Sequence, residues 1–478
     1  MGYSTSTVIS PDDENENEKF NYSKADRSGI GGHPRGLTPL FFTEMWERFS
    51  YYGMRAILVL YMVSPIERGG LGFGVEKATF IFGLYTAAVY FTALPGGLIA
   101  DRLLGARTAV LIGGITIALG HYAMVIPSIT FFYLGMIMIA LGTGLLKPNI
   151  SVMVGGLYSE NDPRRDGGFS IFYMGINLGA MVAPIACGYL AQSLNFQHKL
   201  IALGLNPSNS WHWGFGAAGV GMTLGSIQYL AQQHRLAHVG LKPTKKSTNS
   251  ITSNQEKLTL DEWKRLAAIS VLFIFTAIFF VGFEQSGSSL TLFADQLTRS
   301  EVFGWQFPSS WFQSVNSIFI MILAPLFSLL WLRLDKRAPT SPAKFTFGLF
   351  FLSIGFLVLV PAAYFTVNGR VSAIWLVLLY FFHTVGELCL SPVGLSTVTR
   401  IAPARLVGLM MGCWFLAIAI GNFFSGWIAG FFIASSPIVL VKMFSSLAIG
   451  TLLASIILIF LKPSICRLMQ LTDSTKKN

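Results

Sequence analysis

Charge is scarce in this chain. Asp, Glu, Lys and Arg make up 12% of its 478 residues, about half of what a soluble domain carries. With 53% hydrophobic residues and a mean hydropathy of +0.57, that shortage excludes a water-soluble globular fold. Apolar runs of about 20 residues recur throughout, which leaves an all-α polytopic membrane protein. Cysteine is rare too. Cys187, Cys389, Cys413 and Cys466 lie in or at the ends of apolar runs without metal-ligand spacing, so they read as small packing residues. An intramembrane enzyme would need a nucleophile and base at catalytic spacing or a His and acidic metal cluster. His121 and His383 are isolated, and neither a Gly-rich phosphate loop nor a paired Cys motif is found. The polar stretch through about Arg35 has no apolar h-region or cleavage site, so residues 1–36 are expected to be a flexible cytoplasmic tail ahead of an uncleaved first span.

What is present is a repeating apolar pattern. Runs fall near 38–64, 78–100, 107–127, 130–157, 168–192 and 211–233. After a polar, basic segment, six more follow near 266–294, 308–332, 344–366, 372–399, 404–432 and 438–461. The expected organisation is an N-terminal six-helix bundle over 37–233, a cytoplasmic linker over 234–265, a second bundle over 266–463 and a cytoplasmic tail over 464–478. Arg102, Arg107, Arg164, Arg165, Lys242, Lys264, Arg333, Arg337, Arg400 and Arg405 gather in alternate loops, whereas the opposite loops are nearly bare of Lys and Arg. The basic side is therefore expected to be cytoplasmic, with both termini inside and the chain in the cell membrane. The net charge of +11 is then an orientation signal and a lipid-headgroup contact, and no nucleic-acid partner is needed to explain it.

Against this background one stretch stands out. Thr43 to Arg55 places Glu44, Glu47, Arg48 and Arg55 inside an apolar run, where ionised groups are costly and normally face a partner or a water-filled cavity. Glu44, Arg48, Tyr51, Tyr52 and Arg55 share one helical face, with Glu47 at its edge. Two carboxylates beside one guanidinium titrate as a coupled unit, which suits a proton-carrying site. A static ion-pair cluster that only locks helices is the alternative.

Further polar residues punctuate later spans. Lys147 sits with Gly142, Gly144 and Pro148, a pattern that suggests a locally irregular helix lining a cavity. Tyr173 and Asn177 are spaced i, i+4. Glu284-Gln285-Ser286-Gly287-Ser288-Ser289 is too polar to face lipid, and Asn316 follows Trp311 in the next span. Glu387 and Ser391 share a face, and Gly386 with Pro392 suggests a flexible or broken segment. His383 reads as a hydrogen-bonded structural residue, Met410 and Met411 as packing, and Trp414 as a candidate pocket wall.

The run Glu44-x-x-Glu47-Arg48-Phe49-x-Tyr51-Tyr52-Gly53 resembles the first-helix motif of the proton-dependent oligopeptide transporter family, a branch of the major facilitator superfamily. Gly97 to Arg107 is similar to that superfamily's cytoplasmic loop signature, where Asp101 and Arg102 would form a breakable charge network. Trp331 to Arg337 is a degenerate echo, which implies two six-helix halves. Phe169 to Leu190 resembles the second family signature. The resemblance implies a proton-coupled symporter importing di- and tripeptides by alternating access, with protons as coupling ion, no other cofactor and a monomeric state. Glu44, Glu47 and Arg48 would couple protons, with Lys147 nearby. Arg55 and Lys147 would attract the peptide carboxylate and Glu387 its amino group, while Tyr52, Tyr85, Tyr173, Asn177, Asn316, Ser391 and Trp414 would line the pocket. Arg55 with Glu284, and Lys147 with Glu387, would be alternating gates. Two departures matter: Phe280 stands where the family usually has tryptophan, a position that shapes the pocket, and the linker is too polar for the two extra helices of many bacterial members. Competing readings are a carrier of nitrate or another small anion, and a drug or peptidomimetic carrier.

Overall fold

A computed structural model describes residues 26–159, 162–236, 239–241, 258–302 and 304–469. The tail expectations for 1–25 and 470–478 and most of the linker lie outside them. The chain winds into α1 (Leu37–Val63), α2 (Val75–Phe91), α3 (Ala93–Ile99), α4 (Ala106–Val125), α5 (Ile129–Gly156), α6 (Arg165–Gln192), α7 (Leu194–Ala202) and α8 (Ser210–Gln232). The second part comprises α9 (Leu260–Phe283), α10 (Ser289–Leu297), α11 (Phe312–Leu334), α12 (Ser341–Phe365), α13 (Ile374–Ile401), α14 (Val407–Ala429) and α15 (Pro437–Leu468).

Among the described residues ten segments are long and apolar enough to cross a membrane, with α2 and α3 joined in one and α9 and α10 in another. Two helices, α1 and α8, of 27 and 23 residues, complete twelve. At 1.5 Å per residue each reaches about 30 Å or more. The first carries Glu44, Glu47, Arg48 and Arg55, which removes it from an apolar census, yet those four side chains are buried among neighbouring helices. From Gln233 to Thr259 the chain is too short for two more spans of about 20 residues. Twelve spans in two six-helix bundles is therefore the architecture.

Within a bilayer the hydrophobic effect does not drive helix pairing, so close approach depends on small residues. The α4 and α5 helices meet at Gly113 against Gly142 and at Gly120 against Gly135: a Cβ on Gly113 would lie 2.6 Å from the Gly142 carbonyl oxygen. Gly96 of α3 rests on the Gly144 carbonyl, and the Thr92 hydroxyl donates to the Ala140 carbonyl at 2.8 Å. This corrects one expectation. Gly142, Gly144 and Pro148 do not mark irregularity, because α5 runs unbroken through Pro148; the glycines serve approach of α3 and α4. Likewise α13 continues through Gly386 and Pro392, and Gly386 instead admits the Gly348 carbonyl of α12.

The breaks lie elsewhere. After Ile99 the helix widens into a π turn over Ala100–Leu104, ended by Gly105 at φ 77°. Asp101 and Arg102 are exposed there and form no ion pair among the described residues, so the expected charge network is not made in this conformation. In the second half α9 opens with a capping box, Thr259 with Glu262, and stops at Phe283. Glu284–Gly287 form a 3-10 turn, and Ser288 (φ −126°, ψ −95°) redirects the chain into α10.

The two halves meet on two seams. Along the first, α2 lies against α14, with Phe80 on Phe423, Gly83 on Gly426 and Tyr90 beside Phe415. On the second, the end of α6 meets the start of α11: the Trp311 indole donates to the Ile185 carbonyl at 3.1 Å and Ser314 to Met181 at 2.7 Å. Gln192 completes this seam, donating to Ser309 at 2.9 Å and accepting from the Ser310 amide at 3.2 Å.

Candidate functional site

Between the halves lies a cavity of about 640 Å³. One wall comes from α1, α2, α5 and α6, with Glu44, Arg48, Tyr52, Arg55, Tyr90, Lys147, Tyr173 and Asn177; the other comes from α9 and the turn after it, α11, α13 and α14, with Phe280, Glu284, Asn316, Glu387, Ser391 and Trp414. Arg55 and Glu284, at 5% and 4% exposure, seal one end. Ser328, Pro392 and Leu395, all exposed, stand at the other, which is the basic face. The cavity is thus closed on the side away from the basic loops.

The seal is an ion pair between Arg55 Nη2 and Glu284 Oε2, with Ser286 Oγ accepting from the same nitrogen at 3.3 Å. The break after Phe283 makes it possible, because it turns Glu284 toward α1 and brings Gly287 flat against Arg55 and Phe82, where a Cβ would collide with both. Gln285 ties the turn down, donating to the Val281 carbonyl at 3.2 Å and the Ser425 carbonyl at 3.0 Å. The Arg55 guanidinium also lies over the Tyr52 and Phe82 rings, at 5.8 and 5.7 Å, so aromatic faces supply part of the solvation that burial removes.

Deeper in the first half, Arg48 Nε is shared by two carboxylates. Glu44 Oε1 stands 3.3 Å away and Glu47 Oε2 is hydrogen-bonded to the same nitrogen. Glu44 Oε2, Glu47 Oε1 and Arg48 Nη2 are buried without a hydrogen-bond partner among the described residues. Glu44 and Arg48 reach the cavity; Glu47 is fully buried behind them. Lys147 contributes to the same wall, its Nζ 3.9 Å from the centre of the Tyr90 ring. It forms no ion pair with Glu387 among the described residues; the carboxylate of Glu387 instead accepts from Asn316 Nδ2 at 3.2 Å, and that amide also donates to Thr384 at 3.0 Å. Asn177 Nδ2 donates to the Tyr173 carbonyl at 3.0 Å, leaving its second N–H and its amide oxygen for the cavity.

Most of the residues singled out in the sequence converge here. Tyr85 does not. It is buried outside the cavity wall, and Tyr90 takes that place, because five residues along a helix turn the side chain by about 140°. Phe280 does line the cavity and packs against Phe283 and Gly421, while Trp414 is held edge-on by Phe273 and Phe345. Sequence reading missed Gln313, Tyr380, Phe327 and Trp331, all of which line the cavity. Helical spacing carried the signal for two: Gln313 is three residues before Asn316, and Tyr380 seven before Glu387. Trp331 opens the stretch that echoes the loop signature, yet it belongs to the last turn of α11. His383 also lines the cavity, edge-on to Phe356 at 4.8 Å. No group of His, Cys, Asp and Glu able to hold a metal ion occurs among the described residues.

Comparison with known proteins places this architecture. The model of the POT family matches residues 107–249 and 231–440. The peptide transporter YePEPT of Yersinia enterocolitica subsp. palearctica is 37% identical over 92% of this chain and 96% of its own length. A di-/tripeptide transporter of Lactococcus lactis subsp. cremoris is 34% identical over 94% of this chain and 99% of its own. Among solved structures, that of a peptide transporter POT in complex with sulfate superposes with a TM-score of 0.83 at 38% identity, covering 94% of this chain and 98% of that one. The two six-helix bundles are the major facilitator arrangement, and the chain belongs to the POT family of peptide transporters.

Proposed function

We propose that the chain is a proton-coupled symporter that imports di- and tripeptides by alternating access. The observation that carries this reading is the placement of charged groups in the cavity: Arg48, Arg55, Lys147 and Glu44 on one wall, and Glu387 and Glu284 on the other, with Arg55 and Glu284 paired to each other and Glu387 held by no cation among the described residues. A short peptide is a zwitterion with its two charges several ångströms apart, and such a cavity is electrostatically complementary to it. Arg55 and Lys147 take the carboxylate, Glu387 takes the amino group, and Asn177, Asn316, Tyr52, Tyr173 and Ser391 hydrogen-bond the backbone. Trp414 and Phe280 leave side chains loosely specified. With the basic face cytoplasmic, the conformation described is the inward-open one: the outer gate, Arg55 with Glu284, is shut, and the inner gate, Lys147 with Glu387, is parted.

Proton coupling falls to Glu44, Glu47 and Arg48. The two carboxylates, Arg48 and Lys147 sum to zero charge, and each carboxylate keeps one buried oxygen without a partner, the place where a proton adds. Protonating one weakens its hold on Arg48, frees Arg48 and Lys147 to repartner and biases the two conformations differently. The test is uptake of labelled dialanine into liposomes holding the purified protein, with an inward proton gradient imposed or collapsed by an ionophore. Accumulation with the gradient alone is expected, and Glu44→Gln or Glu47→Gln should lose it while retaining exchange of peptide for peptide. Undiminished concentrative uptake by both variants would sink the coupling assignment; nitrate competing as well as peptide would sink the substrate.

A further inference from the structure

Beside the transport cavity, a second hollow of about 430 Å³ opens at the basic face, within the first half alone. It is formed where the segment entering α1, the α5–α6 loop and the turn after α8 come together. Gly36 makes the meeting possible: a Cβ there would lie 3.1 Å from the Arg235 carbonyl oxygen and would collide with Leu157. Arg35 and Arg235 are thereby brought to one rim from chain positions far apart, and both line the hollow together with Arg164. Its floor is apolar, from Pro34, Leu157, Leu236 and Val239.

The acidic residues of the hollow are occupied. Asp162 receives the backbone amide, Nε and Nη2 of Arg164 at 2.9, 3.1 and 2.8 Å. Asp26 accepts from the Ser28 amide and hydroxyl at 3.0 and 2.6 Å on one oxygen and from the Arg35 amide at 2.9 Å on the other. Arg164 Nη1 is used to hold the entering segment, donating to the Asp26 and Gly32 carbonyls at 2.9 and 3.1 Å. The guanidinium groups of Arg35 and Arg235 form no ion pair among the described residues; Arg235 has a 3.5 Å contact to Gln232 Oε1. Two guanidinium forks therefore stand at the rim of a hollow whose carboxylates are already hydrogen-bonded, Asp162 to the Arg164 guanidinium and Asp26 to neutral donors, and three arginines outnumber those two carboxylates.

We propose that this hollow binds a phosphate group, with Arg35 and Arg235 as its ligands, and that the group is the headgroup phosphate of an anionic phospholipid whose glycerol rests on Leu157, the part-exposed apolar side chain of the floor. Guanidinium forks match phosphate oxygens two at a time, and the basic face of a membrane protein is where anionic headgroups collect. All three wall segments belong to one half, so the ligand clamps the start of α1 to the ends of α5 and α8. It stiffens that bundle and leaves the opening between the halves unaffected.

The experiment is thermal unfolding of the purified full-length protein, titrated separately with short-chain phosphatidylglycerol, short-chain phosphatidylcholine and inorganic phosphate, for the parent, Arg35→Gln, Arg235→Gln and the double variant. Both side chains stand at the rim, exposed and half-buried, so folding is expected to survive; the phosphatidylcholine arm reports the shared response to any lipid. Phosphatidylglycerol should raise the midpoint of the parent, and its apparent affinity should fall about fivefold for each guanidinium removed at low salt, with the effect fading as ionic strength rises. A shift with inorganic phosphate that is equally lost in the double variant would assign the site to free phosphate and overturn the lipid. Equal responses of parent and double variant to all three additives, or no response of the parent, would overturn the site.

Discussion

The ion pair between Arg55 and Glu284 allows a quantitative test of how this transporter closes. Both groups are nearly excluded from solvent, and removing one member of a buried pair costs roughly 3–5 kcal/mol, because the other is left charged in a low-dielectric site. In Glu284→Gln the amide oxygen still accepts one hydrogen bond, and Ser286 Oγ remains 3.3 Å from Arg55 Nη2, so the lower figure, about 3 kcal/mol, applies. When the halves part on this side, both groups meet water and nothing is lost, so the penalty falls on the closed state alone. At about 1.4 kcal/mol per tenfold, the population open on the Arg55 side should rise on the order of a hundredfold. Ser310, buried in the seam beneath Gly188, reports that opening. With the four native cysteines replaced, Ser310→Cys should react slowly with a membrane-impermeant maleimide, and adding Glu284→Gln should accelerate it toward a hundredfold. Identical labelling rates in the two proteins would refute the reasoning, since the pair would then contribute nothing to closure.

Other consequences are as direct. Glu387→Gln should weaken dialanine binding ten- to a hundredfold, the loss of a charged hydrogen bond in a cavity, and leave an N-acetylated dipeptide unaffected; equal losses for both would remove Glu387 from the amino end. Gly96→Ala should cost about 2 kcal/mol by overpacking, since its Cβ would collide with the Gly144 carbonyl, whereas Gly97→Ala, whose nearest neighbour is Pro148 at 3.9 Å, should leave the unfolding midpoint unchanged. Burial, and then the nearby Arg164 guanidinium, hold the pKa of His33 below its usual 6.5. The docked segment, in which His33 Nδ1 lies 2.9 Å from the Tyr158 hydroxyl, therefore favours the neutral ring; its stability is full above pH 6.5 and declines as pH falls further. Hydrogen exchange at Gly29 and Gly32, corrected for intrinsic rates, should quicken relative to pH 7.5 when the protein is held at pH 5; equal protection would contradict it.

The architecture was legible because a bilayer imposes a strong constraint on sequence. Spans reveal themselves by length and apolarity, and an ionised residue such as Glu44 or Arg48 inside one announces a cavity. Side chains one helical repeat apart, such as Glu44 with Arg48 and Glu387 with Ser391, share a face by geometry alone. What escaped was whatever depends on backbone departing from the ideal helix or on a neighbouring helix. Pro148 and Pro392 looked like breaks, yet both helices absorb them; the actual interruption, at Glu284 to Ser288, is carried by serines and one glycine that hydrophobicity does not distinguish from an ordinary polar patch. Tyr85 and Tyr90 are equally plausible by type, and only the rotation of α2 about its axis decides which one meets the cavity. Trp331 was lost for a different reason: a motif at a helix end draws attention to its charges and away from the aromatic just before them.

The contact of Gly83 with Gly426 bears on the motion itself. Backbone rests on backbone there, a Cβ on Gly83 falling 2.9 Å from the Gly426 α-carbon, and the seam continues from Glu76 beside Gly430 to Leu94 beside Gly412. A surface without protruding side chains at its centre has nothing to interlock, so one helix can roll over the other with little resistance. A line of contact held along its length also cannot be the place where the molecule parts. Under the alternating access proposed above it would act as the axle, and the gap at the basic face opens instead where the exposed Ser328 of α11 and Leu395 of α13 stand.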